Sequence, residues 1–130
     1  MSSRQLISSG SPWEPKIGYS RAVVVGSHLS LSGTTATGAD GNVIGVGDPY
    51  AQTKAILDKV GEVLQEAGFA LTDVVRTRMF MTDISRWEDV AKAHGEVFSD
   101  IRPATTMVEV SKLIDPDHLI EIEVDAIKAE

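Results

Sequence analysis

The sequence predicts an α+β protein: one domain spanning residues 1–130, built from six short strands and two helices. Three observations carry this. Two stretches, after Asp48 and after Ser85, repeat apolar residues at helical spacing. Five stretches have the length and β-branched content of strands, and a sixth is possible at Gln5 to Ser8. The order is strand, strand, loop, helix, strand, helix, strand, strand. A length of 130 residues suits one core.

Taken in order, Gly10 to Ile17 (GSPWEPKI) reads as loop, because two prolines and a glycine interrupt regular structure. Tyr19 to Val25 and His28 to Ser32 read as strands joined at Gly26-Ser27. A glycine in the first central position suits a type II′ hairpin turn. The unbroken apolar run Ala22 to Val25 predicts a strand covered on both faces. Gly33 to Gly47 is a loop. Its GVG fragment lacks the remainder of a dinucleotide fingerprint and reads as a turn.

Asp48 caps the first long helix and Pro49 takes its first position. Ile56, Val60, Val63, Leu64 and Ala67 make its apolar face, and Gly68 stops it. Val74 to Thr82 is a strand. Ser85-x-x-Glu88 reads as a capping box for the second helix, with Trp87, Val90, Ala91, His94, Val97 and Phe98 on its buried face. Arg102-Pro103 closes that region. Ala104 to Val110 and Leu119 to Ile127 are the last strands. Two helices cover one face of such a sheet. The other face keeps apolar side chains and needs a second subunit.

Composition removes several functions. There is no cysteine, hence no disulfide, thiolate nucleophile or Cys-based zinc site. His28, His94 and His118 are far apart and predict no metal site. A formal net charge of −7 argues against a nucleic-acid surface on electrostatic grounds, although one local cation can still hold a small anion. No G-x-S-x-G elbow accompanies Ser32, Thr34, Thr35 and Thr37. The start of the chain lacks the apolar run of a signal peptide, and no stretch approaches the ~20 apolar residues of a membrane span. A cytoplasmic protein without membrane contact is expected.

The candidate chemistry lies on the strands. Alternation puts Leu119, Glu121, Glu123 and Asp125 on one face of the last strand. It likewise groups Arg76, Arg78, Phe80 and Thr82, and groups Thr105, Met107 and Glu109. Two readings follow: a solvated face of Arg–Glu cross-strand pairs, or a cleft in which Glu121 is a general base beside an arginine that holds an anion. His94 reads as a core histidine with a satisfied polar tip. Trp13 and Tyr19 either line a pocket or pack.

Arg102 to Glu109 (RPATTMVE), the following VSKLIDPDHLIEIEVDAI, Leu31-Ser32-Gly33 and Thr77 to Asp83 (TRMFMTD) resemble the Rid (YjgF/YER057c/L-PSP) family over nearly the whole chain. The resemblance implies a chorismate-mutase-like fold with a mixed six-stranded sheet. It implies a homotrimer with three clefts between subunits, and hydrolysis of small reactive imines or enamines to ammonia and a 2-oxo acid without cofactor or metal. Glu121 matches the water-activating glutamate of the family. Tyr19 and Ser32 match cleft residues that contact substrate. Thr105, in PATT, stands where the active deaminase branch carries a carboxylate-binding arginine, and Ala91 stands where it carries asparagine. That departure implies a shifted substrate, with Arg78 as a candidate replacement cation. The alternatives are a non-catalytic trimer that binds a small metabolite and, third, an endoribonuclease.

Overall fold

The computed structural model describes residues 3–129. Six strands form one sheet: β1 (Arg4–Ile7), β2 (Ala22–Val25), β3 (His28–Thr34), β4 (Val74–Met81), β5 (Ala104–Glu109) and β6 (Ile120–Ile127). Their order is β1-β2-β3-β6-β4-β5. Only β4 and β5 run parallel; the other pairs are antiparallel, so the sheet is mixed. The parallel pair follows from its connection, since β4 reaches β5 through a helix, as a parallel crossover requires.

Two long helices, α2 (Pro49–Glu66) and α3 (Trp87–Phe98), follow a short α1 (Trp13–Ile17). The Asp48 carboxylate accepts from the Ala51 amide at 3.0 Å, and Pro49 follows as the first helical residue. Ile56, Val60 and Leu64 are buried; Val63 and Ala67 pack beside them. Gly68 takes φ 82° just beyond the helix, a left-handed stop that a side chain would strain. These buried residues meet Met79, Met81, Ile120, Ile122 and Val124 from the central strands. Gln52 is also fully buried. Its amide donates to the carbonyls of Gly45 (3.2 Å) and Asp117 (2.9 Å) and accepts from the Leu119 amide (2.8 Å), so it ties both loops to α2.

Several expectations need correction. Pro12 and Pro15 do not keep their segment in a loop: α1 forms, closed by Gly18 at φ 90°. Proline disrupts a helix interior but fits the first turn, which is nearly all of a five-residue helix. Ser85 does not cap the second helix. Asp83 accepts from the Ser85 amide and caps a 3-10 turn at Ile84–Arg86, and α3 begins at Trp87 with no side-chain cap. The buried face is close to the expected one: Val90 and Phe98 are buried together with Ala93, and Ala91, His94 and Val97 are half-buried, while Trp87 is 49% exposed. Within the subunit, strand β2 buries Ala22 and Val24 on one face, while on the other Val23 is half-buried and Val25 exposed. The hairpin at Gly26 is as expected, with φ 60° at the glycine.

Candidate functional site

The face of the sheet away from the long helices carries the polar strip. In β6, Ile120, Ile122, Val124 and Ala126 are buried against the core, and Glu121, Glu123 and Asp125 point the other way. Between Leu31 and Thr34 the β3–β6 register shifts, which is a bulge. The Glu121 carboxylate lies over Gly33 at this bulge, so close that a Cβ on Gly33 would collide with it. A glycine is needed for this approach, not for an unusual backbone angle. Burial pushes the Glu121 carboxyl above its ordinary range; the neighbouring Glu123 charge adds to the effect and Arg21 opposes it.

Arg21 is the residue that sequence reasoning missed. Its Nη1 donates to the Gly33 carbonyl oxygen at 2.8 Å and to the Thr34 hydroxyl at 3.0 Å. Its guanidinium lies over the Tyr19 ring at 5.5 Å, and Nη2 is 3.4 Å from the Tyr19 hydroxyl. The available signal was alternation from Tyr19 through Arg21 to Val23, which puts all three on one face. Lys59, from α2, is a second cation in this region. Its Nζ donates to the Thr35 carbonyl at 2.9 Å, and burial first, then repulsion from Arg21, weakens its hold on its proton.

Tyr19 and Ser32 share an open groove of about 490 Å³ with Glu14, Ser20 and Val23. The Ser32 hydroxyl donates to the Ser20 carbonyl at 2.6 Å, which pins the chain between α1 and β2 onto β3. Glu14 is 4% exposed and takes both the amide and the hydroxyl of Ser9. Glu121 is not part of the groove wall, but it lies over the residue next to Ser32.

Two other expected site residues are placed differently. Arg78 Nη1 donates to Asp125 at 3.1 Å and lies 3.7 Å from Glu123. The register sets this: Arg78 stands opposite Glu123, whereas Phe80 stands opposite Glu121. Thr105 stands beside Thr77 in the parallel pair, on the helix-facing side of the sheet. Its hydroxyl is 2.8 Å from that of Thr77, which is 2.9 Å from His94 Nε2. A single subunit therefore does not bring Thr105 and Glu121 together. His94 has the satisfied polar tip expected of it, and burial lowers its affinity for a proton. Trp13 is exposed, with Lys16 Nζ 5.7 Å from its ring centre. Among the described residues, no three His, Asp or Glu side chains converge on a metal position, and no helix is long and apolar enough to cross a membrane.

The fold and the sequence both have relatives. Residues 10–128 match the Endoribonuclease L-PSP family. A crystal structure of Rv2704 from Mycobacterium tuberculosis, a member of the highly conserved YjgF/YER057c/UK114 family, is 47% identical. It superposes with a TM-score of 0.88, covering 97% of this chain and 100% of that one. A Yersinia pestis protein of the conserved Rid family is 30% identical with a TM-score of 0.84, over 97% of this chain and 100% of its own. A RutC family protein of Sulfurisphaera tokodaii is 40% identical over 106 residues, 82% of this chain and 84% of that one. With the family matched along nearly the whole chain and the fold shared, this protein belongs to the Endoribonuclease L-PSP (YjgF/YER057c/UK114) family.

Proposed function

We propose that the protein hydrolyses a small, carboxylate-bearing imine or enamine, with Glu121 as the base that activates water. The observation that carries this reading is the Glu121 carboxylate, held over Gly33 on the open face with its proton affinity raised by burial. A carboxylate so placed orients a water toward the carbon of a C=N bond and takes its proton as the C–O bond forms. An enamine first becomes the imine by proton transfer to carbon. The proton taken from water passes to the carbinolamine nitrogen, the C–N bond breaks to release ammonia and a 2-oxo acid remains, so the atoms balance without an oxidant or cofactor. Tyr19 and Ser32 would shape the wall beside the reacting carbon.

The clefts are proposed to lie between the subunits of a homotrimer. Leu6, Val25, Val108 and Ile127 are exposed apolar side chains on β1, β2, β5 and β6, and burial against a second copy would remove them from water. Thr105 would then reach Glu121 only from a neighbouring subunit. Sedimentation equilibrium at micromolar concentration should give three subunit masses; a stable monomer argues against this placement of the clefts.

The test of the chemistry is ammonia release from a panel of 2-imino acids generated in place. Glu121→Gln should lower turnover by about 10²–10⁴, with much less effect on ligand affinity. Glu123→Gln and Asp125→Asn serve as controls on the same strand. Unchanged turnover in the Glu121 variant rejects the reading. A second reading, a trimer that binds a metabolite without turning it over, is favoured by Thr105, whose neutral hydroxyl is a weaker carboxylate partner than a guanidinium. It predicts ligand binding with no ammonia release from any member of the panel. The family description also names endoribonuclease activity. The net charge of −7 and the acids beside Glu121 would repel a phosphate backbone, and RNA should remain intact.

A further inference from the structure

A carboxylate ligand brought to Glu121 meets a strip of three acids, so some cation must accept it. Arg78 is already engaged with Asp125 and Glu123 from the same strip. Thr105 faces the other side of the sheet within the subunit. Arg21 differs from both. Among the described residues it has no carboxylate within ion-pair distance; its named partners are a carbonyl and two hydroxyls. Those contacts anchor one edge of the guanidinium and leave two of its five N–H donors, at Nε and Nη2, for a ligand. Gly33 joins the two ends of the site, because its carbonyl oxygen takes Arg21 while its Cα lies under the Glu121 carboxylate.

We propose that Arg21 is the anion-binding residue of the Glu121 site, gripping the carboxylate of the ligand beside the Tyr19 ring and so aiming the adjacent carbon at Glu121. This rests on the imino-acid reading of the site and adds to it a residue that binds substrate. Arg21 is well suited to the task. Its planar fork lies over an aromatic ring, 5.5 Å from the ring centre, and is fixed by two bonds from Nη1, so little conformational freedom remains to be lost when an anion docks. A lysine there would keep the charge and lose the fork. The same anchoring holds the bulge at Gly33, so Arg21 also positions Glu121, and the test must separate the two effects.

The separating measurement is direct binding of 2-oxobutanoate, a product-like carboxylate, by calorimetry or ligand-observed NMR, compared with 2-butanone, which lacks the carboxylate. Arg21→Gln should weaken 2-oxobutanoate by about 10–100-fold, the effect of losing a charged hydrogen bond, and leave 2-butanone unchanged. Arg21→Lys should recover part of the loss. Arg86→Gln removes the same charge at the remote start of α3, where Arg86 Nη1 donates to the Gly47 carbonyl, and should have no effect. Equal weakening of both ligands, no weakening in the Arg21 variants, or transfer of the loss to Arg78→Gln each overturns the proposal, as does failure of the unmodified protein to bind 2-oxobutanoate. The wider reading can fail separately. Arg21-dependent binding without ammonia release keeps the anion site and removes the catalysis. Imine hydrolysis that survives Arg21→Gln with unchanged KM does the reverse.

Discussion

The carboxylate of Glu121 occupies the space above Gly33 that any larger residue at position 33 would fill. The two residues come from different strands, β6 and β3, and meet because the register between those strands slips by a bulge. The acid, its room and the carbonyl that anchors Arg21 therefore meet at one local irregularity. That arrangement turns a solvated acid into one that holds its proton more tightly than an ordinary glutamate.

Gly33→Ala should fold and lose function. The added methyl meets the end of a flexible side chain rather than backbone, so Glu121 can swing aside at little cost. The melting temperature should change by no more than about 2–3 °C. Turnover should fall by roughly 10–10², since displacing a reacting group by an ångström costs about that much. Scanning calorimetry beside the ammonia assay gives both values. A large loss of stability would show that Gly33 serves the fold rather than the acid.

Glu121→Gln should stabilise the protein at neutral pH while it removes activity. The folded-state carboxyl is raised above its ordinary 4.5. Such a group favours the fold fully below the unfolded value, and that contribution is lost as pH rises through the folded value. The variant should thus melt higher than the parent at pH 7, by roughly 1–3 °C. The gap should shrink as pH falls toward 4. A variant that is less stable at pH 7 would mean that the charged form makes a favourable contact.

His94 should give the protein part of its acid sensitivity. Burial lowers its folded-state affinity for a proton below the ordinary 6.5. Its contribution is present above the unfolded value and is lost as pH falls toward the folded one. His118, which is also buried and bonded to the Thr37 hydroxyl at 3.0 Å, has the same sign. His94→Gln can keep a bond to Thr77 and does not titrate. It should flatten the fall in melting temperature between pH 7 and 5 and leave the contribution of His118 in place. An unaltered slope would show that His94 is not the group that titrates.

Thr105→Arg should add a second cation at the edge of the sheet. Thr105 is exposed, and the buried Thr77 keeps His94 as a partner once the Thr105 hydroxyl is gone. The value of kcat/KM for 2-imino acids should rise about tenfold or more, on the scale of a charged hydrogen bond, while imines without a carboxylate stay unchanged. A gain on both classes would point to a general change of the cleft instead.

Local rules in the sequence determined most of the elements. Helical spacing after Asp48, the glycine stop at Gly68 and the strict alternation of Ile120 to Asp125 depend on residues within a few positions of one another, and each appears in the fold. The alternation also determined that Glu121, Glu123 and Asp125 share a face. Only the tertiary structure decided which partner each acid meets, because register is set between strands far apart in sequence. It gave Arg78 to Asp125 and Glu123, turned Thr105 toward Thr77 and His94, and put Gly33 and Arg21 at Glu121. A period of two says which side of a sheet a residue takes. The bulge between Leu31 and Thr34, which no local pattern announces, decides what lies beside it.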